Sequence, residues 1–342
     1  MLNIALIRIL TQKVRRYLFS NLFNTSISLT IVIIISLVCF NAFRWLVFKA
    51  NWEVVTSNLP LYAFGSFPPN EQWRPAIWII SLLLLSIITI FGPKWKCLRK
   101  NLPIIWAATV PLGLFLLYGG FGLSPITSRH WGGLTLTILL TASSSLLSLP
   151  LGIVLALCRQ SSLPLLHRLS SLYIDVMRAI PLIAVLFFGQ LLIPLFLPVG
   201  LEVDRVWRAI LAFTLFVSAY IAEDIRGGLQ SIPSTQIEAA NSLGLSQYQI
   251  IQFILIPQAL RIALPALTNQ SIGLFQNTSL MAILGLVELL GVGRSILANP
   301  EFIGQYIEVY VWLASVYWLV CTIMAILARH LEKRMTINQA NY

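Results

Sequence analysis

The sequence has few charged residues. Only 10% of its 342 residues are Asp, Glu, Lys or Arg, whereas 58% are hydrophobic and the mean hydropathy is +0.83. A soluble globular domain carries about a quarter charged residues. One water-soluble core is therefore excluded as the fold. Among the charged residues, acidic ones are the scarcer class, with 12 Asp and Glu against 23 Lys and Arg. The formal net charge is therefore +11.

The sequence also lacks the common motifs of catalysis and metal binding. Its four cysteines are widely spaced and form no CxxC pair, which argues against a zinc site or a disulfide framework. The three histidines are far apart, and neither a GxxxxGK[ST] loop nor an HExxH pair is present. We therefore expect a chain that is not an enzyme and that holds no cofactor or metal of its own.

Long apolar runs, in contrast, are abundant. About 20 mostly apolar residues are needed to cross a bilayer. The sequence contains eight such runs, at roughly 27–48, 76–93, 103–120, 132–157, 172–197, 206–229, 262–286 and 305–328. The first is too long for a signal peptide and is interpreted as an uncleaved span. The predicted fold class is an all-α polytopic membrane protein with about eight transmembrane helices. Four tryptophans are expected at the membrane–water interfaces, namely Trp52, Trp73, Trp78 and Trp131.

The basic residues predict the orientation of these spans. If the N-terminus is cytoplasmic, fifteen Lys and Arg residues fall on the inside and seven on the outside, with Arg178 left out because it lies within a span. Cytoplasmic loops carry the excess of basic residues. Eight spans then place both termini in the cytoplasm.

The longest predicted cytoplasmic connection runs from about residue 229 to 261. Pro233 suits the first turn of a helix, and Gly244 suits the end of one. Ser246 can cap a second helix, which we expect to end near Pro257. The segment thus predicts two short helices that lie along the membrane surface, with Gly244 at a positive φ.

This connection resembles the EAA loop of bacterial ABC importer permeases. The family pattern is EAA, then G, then I-x-L-P, and the chain has these residues at the family spacing with Ile256 in place of leucine. Arg178-Ala179-Ile180-Pro181-Leu182 and Thr278-Ser279-Leu280 are similar to motifs of the polar amino acid branch. The resemblance covers about residues 130 to 335. The spans ahead of it resemble the extensions of the general L-amino-acid permease subfamily (its M-type permease subunit).

The resemblance implies a domain organisation. Residues 1–130 would be an N-terminal extension with three spans, residues 131–335 a five-helix type I ABC importer permease core with the coupling loop at 232–257, and residues 336–342 a short cytoplasmic tail. It also implies a multi-pass protein of the bacterial inner membrane. The implied partners are two ABC ATPase subunits that use ATP, a second related permease subunit or a second copy, and a periplasmic amino-acid-binding protein that delivers the amino acids.

The resemblance assigns coupling to the ATPases to the loop residues Glu238, Ala239, Ala240, Gly244 and Pro257. Polar side chains in a span can line an aqueous path, and five interrupt the seventh span: Gln270, Gln276, Asn277, Thr278 and Ser279. Charges at membrane depth are usually paired. We therefore expect structural ion pairs of Asp175 with Arg178 and of Glu223 with Arg226.

The chain departs from the family pattern at two places. Gln276 and Asn277 stand where the family has a Lys–Asp pair, and Asp224 stands where an apolar residue is usual. The alternative function is a secondary transporter or channel that acts alone on an ion gradient. Such proteins often carry an acidic site at mid-depth and inverted repeats, and neither is evident in this sequence.

Overall fold

The computed structural model describes residues 17–91, 96–198, 200 and 202–337, and their side chains except those of 96–100 and 334–337. Helices form nearly all of this part of the chain. Its β pairing is limited to two isolated bridges, Gly120 with Leu123 and Gly133 with Glu288. The predicted all-α fold class is confirmed.

The helices follow one another with short connections. The α-helices are α1 (Leu22–Phe48), α2 (Glu53–Thr56), α3 (Leu59–Phe64), α4 (Trp73–Phe91), α5 (Lys96–Tyr118), α6 (Gly133–Arg159), α7 (Pro164–Ala179), α8 (Leu182–Phe187), α9 (Ile193–Phe196), α10 (Arg205–Gln230), α11 (Ser234–Ser242), α12 (Gln247–Gln249), α13 (Ile256–Asn277), α14 (Leu289–Leu297) and α15 (Tyr306–Ile337). Single turns of 3₁₀-helix lie at Pro69–Glu71, Ser128–His130 and Pro300–Phe302. A longer one occupies Thr278–Leu284, and π-helices occupy Phe188–Leu192 and Ile250–Leu255.

Seven helices of the described chain are long and apolar enough to cross a membrane, and a bent pair makes up to eight. The seven are Leu22–Phe48, Pro69–Phe91, Asn101–Tyr118, Gly133–Arg159, Arg205–Gln230, Gln247–Leu284 and Tyr306–Lys333. The prediction of about eight spans agrees with this count when the bent pair is taken as one span.

The fifth span differs from the predicted straight run of 172–197. The chain forms a helix over Pro164–Ala179 and a second over Leu182–Phe196, with an angle of 106° between them. Ile180 and Pro181 both have extended backbones, with ψ near 136° and 135°. Proline disfavours helical geometry at the residue before it and cannot donate a backbone hydrogen bond. The break therefore follows from the Ile180-Pro181 pair.

The contacts divide the chain into two units, residues 1–53 and residues 54–342. In the first unit, α1 has no buried side chain, and the rings of Trp45 and Trp52 meet edge to face at 6.1 Å. In the second unit, α10 is the most buried span and packs mainly against α6 and α13. Gly152 of α6 makes this packing close, because an added Cβ would lie 2.3 Å from the Ile221 side chain.

Residues 54–130 are tied to the helices that follow them. Thr135 donates a 2.8 Å hydrogen bond to the carbonyl of Ala63. The backbones of Gly65 and Gly132 touch, since a Cβ on Gly65 would lie 2.4 Å from the Gly132 Cα. The division between the compact units thus does not coincide with the sequence-based boundary at residue 130, which is a boundary of family resemblance.

Two of the four tryptophans are not where the sequence suggested. Trp78 is fully buried and Trp131 is only 4% exposed. The Trp78 indole donates to the carbonyl of Thr109 at 2.8 Å and fills the space beside Gly113. Trp78, whose buried indole N–H has a partner, is a stable core element. The burial of both residues inside the protein means that the assignment to a lipid-facing belt was wrong for them.

Candidate functional site

The predicted cytoplasmic loop begins with the helix α11. It spans Ser234–Ser242, directly after Pro233. Glu238 and Ala239 are exposed, whereas Ala240 is buried at 2% exposure. One face of the helix therefore packs on the rest of the chain, whereas the face that carries Glu238 is exposed to solvent.

Gly244 turns the chain after α11. Its φ is +76°, and an added Cβ would meet nothing within 4 Å. The predicted positive φ is confirmed, and the demand for glycine comes from the backbone rather than from crowding within the chain. The N–H of Leu245 then bonds to the carbonyl of Ala240 at 3.2 Å, which closes the turn against the helix end.

The second half of the loop is different from the prediction. Ser246 caps α12 through a capping box with Gln249, as its side chain suggested. The helix does not end near Pro257, however. It runs through the π turns Ile250–Leu255 into α13, so that Gln247–Leu284 is one continuous helix. Pro257 lies at the start of α13, where the preceding wide turns accommodate a residue without an N–H.

Both flanks of the loop are joined to each other. Gly228 of α10 packs on the backbone of α13, where an added Cβ would lie 2.5 Å from the Ala259 carbonyl oxygen. Gln258 of α13 donates a 2.7 Å hydrogen bond to the side-chain oxygen of Gln236 in α11. The loop helix and the two spans that carry it are thus held together at two points.

An ionic cluster lies near the same ends of the spans, around the carboxylate of Glu223. Arg226 donates three hydrogen bonds to it, the shortest at 2.8 Å. Arg159 of α6 approaches it at 3.0 Å and Arg178 of α7 at 3.4 Å. Glu223 is only 13% exposed and accepts from three arginines, so it joins α6, α7 and α10.

The expected contact between Glu223 and Arg226 is present, but the partner predicted for Arg178 was wrong. Asp175 pairs with Arg159 at 3.0 Å, and Arg178 turns to Glu223 and to the face of the Tyr220 ring. Residues three apart on a helix can meet, but a less exposed carboxylate on the neighbouring helix offers the stronger attraction. The role of Arg159 was missed because its partners are 16 and 64 residues away in the sequence.

The polar residues of the seventh span occupy different environments. Gln270 bonds to Asp224 of α10 at 3.1 Å, which gives the unusual aspartate a partner. Gln276 and Asn277 are exposed at the end of α13. Thr278 is fully buried and bonds to the carbonyl of Phe275, and Ser279 bonds to that of Gln276. The span changes from α-helix to 3₁₀-helix at Thr278, and Gly285 ends it with φ +81°.

Glu288 is a fully buried carboxylate that the sequence did not single out. It caps α14 by accepting from the N–H groups of Leu290 and Gly291, and it also accepts from the Tyr317 hydroxyl. Burial raises the pKa of Glu288 to about 7. Glutamate is not among the residues preferred at an N-cap, so no local pattern pointed to this role.

The chain is similar to known transport proteins. Residues 148–337 match the family model described as the binding-protein-dependent transport system inner membrane component. The chain is 38% identical over 289 residues to the inner membrane amino-acid ABC transporter permease protein YhdY of Escherichia coli (strain K12), which covers 83% of this chain and 78% of that protein. It is 34% identical over 291 residues to the glutamate/glutamine/aspartate/asparagine transport system permease protein BztC of Rhodobacter capsulatus, covering 81% and 66%.

A solved structure shares the fold. It is described as the crystal structure of an amino acid ABC transporter with histidines, and it matches with a TM-score of 0.53 and 29% sequence identity. The match covers 59% of this chain and 92% of that one. The chain therefore belongs to the family of binding-protein-dependent transport system inner membrane components, and it is a transport component rather than an enzyme.

Proposed function

We propose that this chain is the permease subunit of an ATP-driven importer of amino acids in the bacterial inner membrane. It forms the translocation path and is coupled through residues 232–257 to two ABC ATPase subunits that use ATP. The names of its relatives, which specify amino-acid transport, support amino acids as the cargo. A periplasmic amino-acid-binding protein delivers the cargo, and a second related permease subunit or a second copy completes the membrane part.

The open edge of α11 is the observation that carries the coupling proposal. Glu238 is exposed there on a helix that is attached to both flanking spans. A short helix held in this way moves as a rigid body, so a push from an ATPase reaches α10 and α13 together. Glu238 offers a negative charge to a basic residue of the ATPase, and charge complementarity of this kind directs docking.

The orientation of the spans in the membrane follows from placing the coupling loop in the cytoplasm. With the coupling loop in the cytoplasm, the excess of Lys and Arg falls on the cytoplasmic side, and both termini lie there. The connections that contain Phe121 and Glu301 then face the periplasm. The binding protein docks on that side.

The end of α13 is the proposed path. Gln270 and Asn277 are two helical turns apart and share a face, and Gln276 to Ser279 stand where the span changes its geometry. Interrupted helices with polar residues line substrate sites in many transporters. The cluster around Glu223 holds the cytoplasmic ends of three helices together beside this path.

Two loop variants test the coupling role, Gly244→Arg and Glu238→Lys. The first places a side chain at a positive φ, which costs about 1 kcal/mol or more in strain, and fills space that a partner would occupy. The second reverses the docking charge. We expect normal amounts of permease in the membrane, ATPase subunits that no longer co-purify, and loss of labelled amino-acid uptake.

Matched controls exist on the opposite side of the proposed membrane. Gly304 has φ +93° and equally open surroundings, and Glu301 is an exposed carboxylate. Gly304→Arg and Glu301→Lys should keep the ATPases bound. Full uptake in Gly244→Arg and Glu238→Lys would remove the coupling role from this loop. Uptake that persists without ATP but collapses with the ion gradient would favour a stand-alone secondary transporter instead.

A further inference from the structure

Three hydrogen-bond donors converge on the buried carboxylate of Glu288. The N–H groups of Leu290 and Gly291 lie 2.8 and 2.9 Å from its oxygens, and the Tyr317 hydroxyl lies 3.2 Å away. A carboxylate has two oxygens that only accept, so it satisfies all three donors. Glutamine has one carboxamide oxygen and brings two donors of its own, and it cannot replace the carboxylate here without losing a partner.

Glu288 is itself held in place by the first turns of α6. The N–H of Gly133 bonds to the carbonyl of Val287 at 3.0 Å, and the N–H of Leu289 bonds to the Thr137 hydroxyl at 3.1 Å. These bonds fix the backbone on both sides of the carboxylate. Glu288 is therefore a stationary acceptor, and a group that bonds to it takes its position from it.

Tyr317 links the fixed Glu288 side chain to the seventh span. Its ring packs edge to face on Phe275 at 5.4 Å, and the Phe275 carbonyl accepts a hydrogen bond from the Thr278 hydroxyl. Thr278 is fully buried and is the first residue of the 3₁₀-helix that interrupts the span. A 3₁₀-helix has poorer hydrogen-bond geometry than an α-helix, so a seven-residue segment of it gains from an external anchor.

We propose that Glu288 is a positioning residue, which acts through Tyr317 to hold Thr278 and so sets the place where the seventh span changes from α-helix to its 3₁₀ segment. The proposal rests on the proposed function in one respect, namely that Gln276 to Ser279 line the path. The carboxylate does not touch the cargo in this role. It determines where the neighbouring amide and hydroxyl side chains stand.

The test uses a cysteine reporter in the full complex. Ser279→Cys is placed beside Thr278 in a chain whose four native cysteines are replaced by serine, and its rate of reaction with a small thiol reagent is measured. We expect Glu288→Gln and Tyr317→Phe each to change that rate about tenfold, as loss of a hydrogen bond to a charged group implies. Labelled amino-acid uptake of the same variants, measured without the reporter, should fall in parallel.

The double variant separates positioning from capping. If Glu288 acts through Tyr317, the double variant is no worse than either single variant. If the two effects add, or if Tyr317→Phe changes neither rate nor uptake, Glu288 only caps α14 and the proposal is wrong. Tyr317→Phe removes one oxygen and preserves the ring, so it decides the question even if Glu288→Gln fails to accumulate. Glu301→Gln is the control for an exposed carboxylate in the same connection.

The two proposals fail in different ways. A reporter that responds as expected in a complex that imports no amino acid would leave the positioning role intact and overturn the proposed function. A reporter that does not respond in a complex with normal uptake would overturn the positioning role alone.

Discussion

The side-chain amide of Gln258 donates a 2.7 Å hydrogen bond to the side-chain oxygen of Gln236 and so joins the start of α13 to α11, the proposed coupling helix. Gln258→Leu removes a bond that contributes about 1 kcal/mol. We expect uptake to fall several-fold while the ATPases remain bound, because transmission rather than docking is weakened. Gln236→Glu combined with Gln258→Lys should restore uptake through an ion pair. Thr268→Val, in the same helix but outside the proposed coupling segment, is the control.

Glu223 is expected to be more important for stability than Asp175. Its removal in Glu223→Gln leaves three arginines without their shared acceptor, and an unmatched, partly buried group costs about 1–3 kcal/mol. Asp175 is 60% exposed and pairs only with Arg159 among the described ion pairs, so Asp175→Asn should cost about 1 kcal/mol or less. Thermal unfolding of the purified permease in detergent compares the two. Equal losses would mean that Glu223 is not the centre of the cluster.

Asn277 tests the path. Asn277→Leu should lower uptake while the complex assembles and its ATPase activity continues, because a polar group is lost from the proposed aqueous face. Thr268 lies on the opposite face of α13, where its hydroxyl bonds to the Leu264 carbonyl of the same helix. Thr268→Val should leave uptake unchanged. Unaltered uptake in Asn277→Leu would assign the asparagine to helix packing.

Cys97 tests the orientation of the spans. It stands in the basic stretch between the second and third spans, and its side chain lies outside the described residues. A membrane-impermeant thiol reagent added to intact cells should not label it. Phe121→Cys, at a fully exposed position of the next connection, should be labelled under the same conditions. Labelling of Cys97 from outside would reverse the proposed topology.

Glu288 predicts a pH dependence of stability. Its pKa is about 7 in the folded chain against an ordinary 4.5, so the folded state binds more protons than the unfolded state between these values. Its stabilising contribution is complete below pH 4.5 and is lost as the pH rises through 7. The unfolding temperature of the wild type should therefore fall over this range more than that of Glu288→Gln. Parallel curves would contradict the assignment.

The number of spans and the start of the proposed coupling loop were predictable from the sequence because they rest on local patterns. Apolar runs indicate spans, and Gly244 and Ser246 indicate a turn and a cap through residues within a few positions. The course of the chain after Ser246 was not predictable in this way. Proline usually limits a helix, but the π turns before Pro257 let the helix continue, and no local pattern indicates a π-helix.

The ionic and buried contacts depend on residues far apart in the sequence. Arg159 reaches Glu223 over 64 positions, and Tyr317 reaches Glu288 over 29. Asp175 and Arg178 were predicted to pair because they are three residues apart on one helix. In the fold, Asp175 pairs with Arg159 and Arg178 with Glu223, both on other helices. Trp78 and Trp131 were assigned to the membrane surface from residue type alone, although their surroundings within the fold bury them.

The contact between Gly65 and Gly132 has a consequence for the evolutionary history of the chain. Any side chain at position 132 would meet the Val287 carbonyl on one side and the Gly65 Cα on the other, at 2.7 and 2.9 Å. Three stretches of polypeptide thus meet backbone to backbone. Descendants that keep the N-terminal region must inherit both glycines together. In a lineage that loses this region, position 132 is freed from Gly65 but remains restricted by the Val287 carbonyl.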